Sequence, residues 1–477
     1  MDIGNSMHDL VIRGGTVVTP ETTAELDVGV RDGTVTDLSV PGSLPDGETT
    51  VDATGRYVLP GLVDAHVHVG VELGEFTTLD DFRAATRAAV VGGTTTVVPF
   101  AIPDPDETPL VAFERRRDAA GGEVYADYAL HGCVTDASDE TLAQLPTLVE
   151  RGAASVKAFM VYADRLKLTH GELRDVMGAV ADAGGLLLVH AEDDEVISRL
   201  VDEHVARGEC DFSAHPDTHP PVSETTAMWT VAELVAETAC PTYVVHVSTA
   251  GARAVLASAR ERDLPLLAET CPHYLSLARE VYDRPDGERF VCSPPIRAGE
   301  HADALWELLR DGLVQTVNSD HCCYDAAQKA RHRDDVTRMP NGLPGVETRN
   351  AVLYADAVAT GRRSIEAFVA LTSTNAAKML GLYPRKGAVA VGADADLVVF
   401  DPDDERTLRA ADLHMATDYT PFEGHQLRGG PVVTVVGGDV VVHDGELVGE
   451  PTGSFVPTDG SSAPETFASG LGGGFGA

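Results

Sequence analysis

Two patterns of apolar and polar positions divide the chain. At both ends, short runs such as 10–18 and 432–436 alternate apolar and polar residues and are separated by turn residues. This alternation is typical of short antiparallel strands. We therefore expect one small β-sandwich domain, assembled from residues 1–59 and 387–450.

The stretch between these ends, residues 60–386, has a different pattern, because short apolar runs alternate there with amphipathic helical segments. The runs lie at 60–65, 94–100, 124–131, 153–160, 185–190, 242–247, 264–269 and 313–319. Eight β/α units predict an α/β fold of the TIM type, a (β/α)8 barrel. Residues 451–477 are rich in Pro, Gly and Ser and predict a flexible tail.

Ionisable side chains recur in the predicted barrel strands, and the active site of such a barrel lies at the carboxyl ends of its strands. The candidates are His66, His68, Lys157, His190, His246 and Asp320. One histidine at a strand end is more often structural, and an Asp there is commonly a helix N-cap. Four histidines and one carboxylate at the same end of a barrel instead predict a site for Zn²⁺ or a similar divalent ion.

Lys157 lies inside the apolar run of the fourth predicted strand, in a chain that contains only five lysines. A snorkelling side chain is one interpretation. Beside dications, however, a buried ammonium is disfavoured, and the neutral amine is a nucleophile toward CO₂. The product is a carbamate, a carboxylate that can bridge two metal ions. We therefore predict N6-carboxylysine at position 157.

Charge restricts the partners and the compartment. The chain has 75 acidic and 36 basic residues and a formal net charge of −39, which argues against nucleic acid or an anionic membrane as a partner. Such a surface repels itself in dilute buffer but is screened near 1 M salt, where the Debye length is about 3 Å. We expect adaptation to a salt-rich cytoplasm. Seven cysteines without a C-x-x-C pair indicate reduced thiols, in agreement with a cytoplasmic protein.

The motifs together resemble the cyclic amidohydrolases, in the dihydropyrimidinase/D-hydantoinase branch, over essentially the whole chain. The matching segments are 61–68 (GLVDAHVH), 92–95 (GGTT), 155–162 (SVKAFMVY), 189–192 (VHAE), 246–248 (HVS), 269–275 (ETCPHYL), 292–295 (CSPP) and 319–322 (SDHC). The resemblance implies a hydrolase that opens a C–N bond of a hydantoin or dihydropyrimidine ring and releases an N-carbamoyl amino acid. It also implies a homotetramer or homodimer.

The same resemblance implies a role for each site residue. One zinc is held by His66, His68 and Asp320, the second by His190 and His246, and carbamylated Lys157 bridges them together with a hydroxide. The hydroxide attacks a ring carbonyl, and Tyr162 supports the oxyanion. Main-chain groups of Ser293 and Asn341 hold the ring amide, and Asp320 carries the proton of the water to the leaving nitrogen.

The choice of substrate within the family stays open. Dihydroorotases of this superfamily typically carry Arg after the His-x-His, whereas Val69 and Gly70 follow it here. The loop at 71–75 (VELGE) departs from the Met-Pro-Phe-like segment of hydantoinases, and Pro99 stands where Asp is usual. Allantoinase, or another cyclic ureide hydrolase, is therefore an alternative. A non-catalytic relative without metal ligands is disfavoured, because every ligand position is filled.

Overall fold

The structure is a computed structural model that describes residues 7–163 and 165–458. Its first strands are β1 (Leu10–Val18), β2 (Thr23–Arg31), β3 (Thr34–Ser39), β4 (Thr49–Asp52) and β5 (Tyr57–Pro60). Strands β1, β2 and β3 pair antiparallel, whereas β4 and β5 run parallel to β1. Asp32 and Gly33 join β2 to β3 with φ values of 49° and 70°, as a two-residue type I′ hairpin turn requires.

The next strands form the central barrel. They are β6 (Leu62–His68), β7 (Glu72–Leu73), β8 (Phe76–Thr77), β9 (Thr94–Ala101), β10 (Asp127–Tyr128), β11 (His131–Cys133), β12 (Ser155–Phe159), β13 (Leu187–His190), β14 (Thr242–Val244), β15 (Leu266–Thr270), β16 (Thr316–Val317) and β17 (His321–Cys322). Apart from the β7–β8 hairpin they make one ten-stranded parallel sheet with β16 and β17 at its two ends. Because only residues 318–320 separate β16 from β17, this interrupted eighth strand closes the sheet. The predicted barrel is confirmed, and each of the eight apolar runs contains a strand.

Helices connect the barrel strands, and further helices follow the last of these strands, β17. They are α1 (Phe82–Val91), α2 (Pro109–Ala119), α3 (Asp139–Glu150), α4 (His170–Asp182), α5 (Asp194–Arg207), α6 (His215–Thr218), α7 (Pro221–Thr238), α8 (Ala252–Glu261), α9 (Pro272–Ser276), α10 (Gly299–Arg310), α11 (Ala326–Ala330), α12 (Arg349–Ala357), α13 (Ile365–Val369) and α14 (Asn375–Met379). Polar residues begin several of them, as where the Thr169 hydroxyl and the Glu172 carboxylate form a capping box on α4. In the part of the chain that the structure describes, no helix combines the length and the apolar character needed to span a membrane.

Strands from the other end of the chain complete the first sheet. They are β18 (Leu397–Thr407), β19 (Gln426–Val436), β20 (Asp439–His443) and β21 (Glu446–Leu447). Strand β18 pairs antiparallel with β5 and so joins both chain ends in one nine-stranded, mostly antiparallel sheet. The Ala395 amide donates to the Gly33 carbonyl at 2.8 Å, which brings the β2–β3 turn beside the start of β18. The sheet therefore encloses its own core, in which Ile12, Val28 and Val399 are fully buried.

Residues 451–458, which composition assigns to the flexible tail, lie against the barrel. The Phe455 ring packs on Phe113 and Tyr128, with centroids 6.2 Å and 5.5 Å apart. Val456 is buried, and its amide donates to the Tyr128 carbonyl at 2.7 Å. The apolar side chains of Phe455 and Val456 interrupt the polar composition of the segment. They explain why it packs on the barrel although its composition predicts a flexible tail. The rest of the predicted tail, 459–477, lies outside the described residues.

Candidate active site

A cavity of about 630 Å³ opens at the carboxyl ends of the barrel strands. Its wall contains every residue that the sequence assigns to the site: His66, His68, Lys157, Tyr162, His190, His246, Ser293, Asp320 and Asn341. The parallel strands bring these residues together, because their carboxyl ends all meet at one face of the barrel.

His66 and His68 lie two positions apart at the end of β6 and point to the same side. Their Nε2 atoms lie 3.0 Å and 3.3 Å from the same oxygen of Asp320, Oδ1. The backbone of Asp320 is left-handed, with φ 48°, a conformation that costs about 1–3 kcal/mol for a residue with a side chain. Burial alone raises the pKa of Asp320, but His66 and His68 outweigh it and hold that pKa well below its usual range. Asp320 is therefore a carboxylate.

Glu269 fixes the orientation of His66 from beneath the cavity. It is fully buried at the end of β15, and Oε1 is hydrogen bonded to Nδ1 of His66 and accepts from the amide of His246 at 3.1 Å. Oε2 accepts from the Tyr243 hydroxyl at 2.8 Å and from Asn318 Nδ2. Burial lowers the pKa of His66, but Glu269 and Asp320 together raise it to about 9. With Nδ1 facing Glu269, Nε2 of His66 faces the cavity.

His190 and His246 form a second pair of imidazoles. Nδ1 of His190 lies 3.0 Å from Nε2 of His246, while the other ring nitrogen of His190 lies 2.8 Å from Oε2 of Glu192. Burial lowers the pKa of His190, and it lowers that of His246 well below the usual value, so both rings are neutral near pH 7. Neutral imidazole is the form that binds a metal ion. His246 also has a left-handed backbone, with φ 43°.

Lys157 lies on β12, which in the order of the sheet is between the strand of His66 and His68 and the strand of His190, and its surroundings are mainly apolar. Its Nζ is 5.2 Å and 5.0 Å from the ring centroids of Phe100 and Phe159. Among the described residues, no carboxylate lies within ion-pair distance of this nitrogen. Burial lowers the pKa of Lys157 to about 8, although Glu269 and Asp320 oppose the shift. A substantial fraction of the side chain is therefore a neutral amine near pH 8.

Tyr162, Ser293 and Asn341 line the same cavity as these histidines and Lys157. Tyr162 has φ 70°, and its ring centroid lies 5.6 Å from that of His190. Burial raises the pKa of the Tyr162 phenol, which keeps it protonated and able to donate. Oδ1 of Asn341 is buried and has no hydrogen-bond partner within the described chain.

The donor set around Asp320 fits a divalent ion. With a pKa of about 9, His66 donates from Nδ1 to Glu269 and from Nε2 to the Asp320 oxygen at 3.0 Å, and a divalent ion between Nε2 and that oxygen would take the place of the Nε2 proton. Bond lengths of about 2.0–2.2 Å place two ligands of one zinc about 3.0–3.5 Å apart. The separations of 3.0 Å and 3.3 Å agree with this spacing.

A second group of metal-type side chains, Asp80, His321 and Cys323, does not fit an ion. Nδ1 of His321 accepts from the amides of Gly345 and Val346 at 3.1 Å and 3.4 Å. The proton of a neutral His321 is therefore on Nε2, which lies 3.0 Å from Asp80. Burial also raises the pKa of Cys323, so it stays a thiol. These contacts support strand β17 directly after Asp320.

The mouth of the cavity is formed by loops. Leu73 and Glu75 of the β7–β8 hairpin line it. The Glu75 carboxylate forms ion pairs with Arg331, His332 and Arg338, at 3.0, 2.8 and 2.8 Å. The loop that departs from the hydantoinase pattern therefore faces the cavity.

Sequence reasoning named neither Glu269 nor Glu192 as a functional residue. A signal was present, because Glu269 ends the seventh apolar run and Glu192 follows His190 by two positions. Acidic residues at these positions are available to orient a metal-binding imidazole.

Comparison with known proteins identifies the family of the chain. The sequence profile described as "Amidohydrolase family" matches residues 57–441, and the chain belongs to that family. D-hydantoinase from Geobacillus stearothermophilus is 39% identical over 447 residues, which are 92% of this chain and 94% of the relative. The crystal structure of dihydropyrimidinase from Brevibacillus agri NCHU1002 has a TM-score of 0.92 at 38% identity and covers 94% of this chain and 98% of its own. The structure of L-hydantoinase (dihydropyrimidinase) from Arthrobacter aurescens has a TM-score of 0.88 at 31% identity. The match covers 94% of this chain and 100% of the relative. The resemblance predicted from the motifs is confirmed.

Proposed function

We propose that the chain is a metal-dependent hydrolase of cyclic amides, which opens a C–N bond of a hydantoin or dihydropyrimidine ring to give an N-carbamoyl amino acid. The observation that carries this proposal is the convergence of six candidate ligands and three candidate substrate contacts on one cavity. The relatives named D-hydantoinase and dihydropyrimidinase support the same reaction class.

Two divalent ions, most simply zinc, match the donor set. His66, His68 and Asp320 would hold one, and His190 and His246 the other, with carboxylated Lys157 between them. The neutral amine of Lys157 adds to the carbon of CO₂, a C–N bond forms and a proton is released, which leaves a carboxylate. When bound, such ions lower the pKa of a shared water toward neutrality and polarise a carbonyl oxygen.

The residues of this chain supply the proton transfers and the orientation. Asp320 is ionised and accepts the proton of the attacking water, then donates it to the leaving ring nitrogen. Tyr162, still protonated, donates a hydrogen bond to the oxyanion that develops on the ring carbonyl. Main-chain groups of Ser293 and Asn341 bind the ring amide, which keeps the scissile bond against Asp320.

The residues after His68 favour a substrate without a carboxylate at that position. Gly70 has no side chain, and Val69 is fully buried in the barrel core. Neither replaces the arginine of a dihydroorotase. The hairpin at 72–77 faces the substituent of the ring, and its departure from the hydantoinase pattern keeps allantoin as the second substrate to test.

The acidic surface supports a proposal about the environment. A net charge of −39 favours a salt-rich cytoplasm, where counter-ions screen the repulsion. We also propose a homotetramer or homodimer. Sedimentation in 0.1 M and 2 M KCl tests both ideas, because dissociation or unfolding is expected at the lower concentration only.

A substrate panel tests the function. The protein, loaded with Zn²⁺ in molar KCl with bicarbonate, is incubated with dihydrouracil, hydantoin, allantoin and dihydroorotate, and ring opening is followed by mass spectrometry. We expect dihydrouracil or hydantoin to be opened, and an identically loaded Asp320→Asn protein to open neither. Turnover of dihydroorotate alone, or fewer than one metal ion per chain, would contradict the proposal.

A further inference from the structure

Lys329 is a fully buried lysine that lies on α11, outside the wall of the cavity. Its Nζ donates to three main-chain carbonyls, those of Val291 at 2.6 Å, Pro340 at 2.8 Å and Gly342 at 2.9 Å. Within the part of the chain that the structure describes, no carboxylate lies within ion-pair distance of this nitrogen. The ammonium is therefore bound by neutral acceptors only.

Two other buried lysines have different surroundings. Lys157 lines the cavity, and Lys386 forms ion pairs with Asp394 at 2.9 Å and Asp396 at 2.6 Å. A buried ammonium without a counter-charge is unfavourable, and burial lowers the pKa of Lys329 to about 8. The ammonium of Lys329 carries three N–H donors on one nitrogen, which no other side chain offers.

The three carbonyls belong to the two segments that carry the proposed contacts to the substrate amide. Val291 lies two residues before Ser293, and Pro340 and Gly342 flank Asn341. Neither segment is part of a helix or strand, so no regular backbone pairing fixes their distance. One direct bond joins them, from the Gly342 amide to the Val291 carbonyl at 3.1 Å. The ammonium of Lys329 supplies the remaining cross-links.

We infer that Lys329 is a positioning residue that holds the Ser293 and Asn341 segments at the spacing the substrate amide requires. This inference rests on the proposed function, which assigns the ring amide to main-chain groups of both segments. Main-chain donors and acceptors cannot adjust by changing a rotamer, so the distance between the segments decides whether both ends of the amide are bound. Lys329 sets that distance without contacting the substrate.

The test compares two buried lysines. Lys329→Met removes the donors and keeps a side chain of similar length, and Lys386→Met removes an equally buried lysine from ion pairs outside the cavity. Both full-length, metal-loaded variants are measured for Tm, metal content, kcat and KM with dihydrouracil in molar KCl. We expect a lower Tm in both, but an increase in KM of about tenfold or more in Lys329→Met alone, the effect of losing a well-placed hydrogen bond. Metal content should be unchanged.

A second measurement does not depend on turnover. Hydrogen–deuterium exchange should become faster in peptides spanning 288–296 and 338–346 of Lys329→Met, with no change at 62–68. If Lys329→Met does not fold, Lys329→Arg serves instead, because its planar fork keeps the charge but cannot place three donors at one point. A folded variant with wild-type KM would overturn the inference and leave the proposed function intact. A wild-type protein that opens no cyclic amide would overturn both.

Discussion

The floor and the rim of the cavity are built in different ways. The floor consists of His66, His68, Lys157, His190, His246 and Asp320. These side chains lie in strands or shortly after them, and all except the half-buried His68 are buried. Glu269 and Glu192 support three of them through hydrogen bonds. The rim consists of residues 72–77 and 331–338, where Glu75 is one-third exposed and makes only ion pairs at the surface.

We assign the proposed reaction to the floor of the cavity and the choice among substrates to its rim. Buried hydrogen bonds and charges are barely screened by salt, so the floor keeps its geometry in any buffer. Exposed ion pairs are weak and are screened as salt increases. The floor can therefore remain that of the amidohydrolase family, while the rim changes with little effect on folding. The following variants test that separation, beginning with the largest expected effect.

Lys157→Ala should abolish measurable turnover, because it removes the carboxylate proposed to lie between the two ions. The measurement is kcat/KM for dihydrouracil together with the metal content of the purified protein. We expect the second ion to be lost as well. Added propionate, which supplies a carboxylate to the space left by the side chain, should restore part of the activity. Full turnover without such addition would show that carboxylated Lys157 has no role.

Tyr162→Phe should lower kcat by about 10²–10³-fold, the effect of removing one oxyanion donor. KM and metal content should change little, because the phenol binds charge that develops only in the transition state. Tyr125→Phe is the control, since Tyr125 is a buried tyrosine whose hydroxyl accepts from Arg83 outside the cavity. An equal loss in both variants would indicate a structural effect.

Glu269→Gln should weaken metal binding by about 10–100-fold, the usual effect of removing a carboxylate that orients a ligand imidazole. Competition with a chelator measures this affinity directly, without a substrate. Glu347→Gln provides the matched control. Glu347 is a buried carboxylate outside the cavity, and its Oε1 lies 2.9 Å from Nδ1 of His414. Unchanged metal affinity in Glu269→Gln would mean that His66 does not need this partner.

The floor was predictable from the sequence because it depends on local periodicity. Two-residue alternation places His66 and His68 on one face, and apolar runs locate the ends of parallel strands, which must meet at one face of a barrel. Glu269 was not predicted, because its role depends on contacts with His66 and His246, which lie in or shortly after other strands of the barrel.

The rim was less predictable, because its contacts join segments that are distant in sequence. Composition alone did not indicate that Glu75 would meet Arg331 and Arg338, more than 250 residues later. The same limit applies to residues 451–458, which the packing of Phe455 on barrel side chains and hydrogen bonds to Tyr128 and Asp127 hold against the barrel. Long-range side-chain contacts have no period along the chain, so a single sequence does not reveal them.

Glu75→Gln should have the smallest effect, and it should concern selection only. We expect KM for a hydantoin with a bulky 5-substituent to change by about two- to fivefold, the range of exposed ion pairs, while KM for unsubstituted dihydrouracil stays constant. The difference should shrink in molar KCl, where the Debye length is about 3 Å. Glu72→Gln removes the same charge from the same hairpin without the three ion pairs of Glu75, and should leave both KM values unchanged. If Glu75→Gln instead lowered kcat for dihydrouracil, the rim would take part in the chemistry and the separation from the floor would fail.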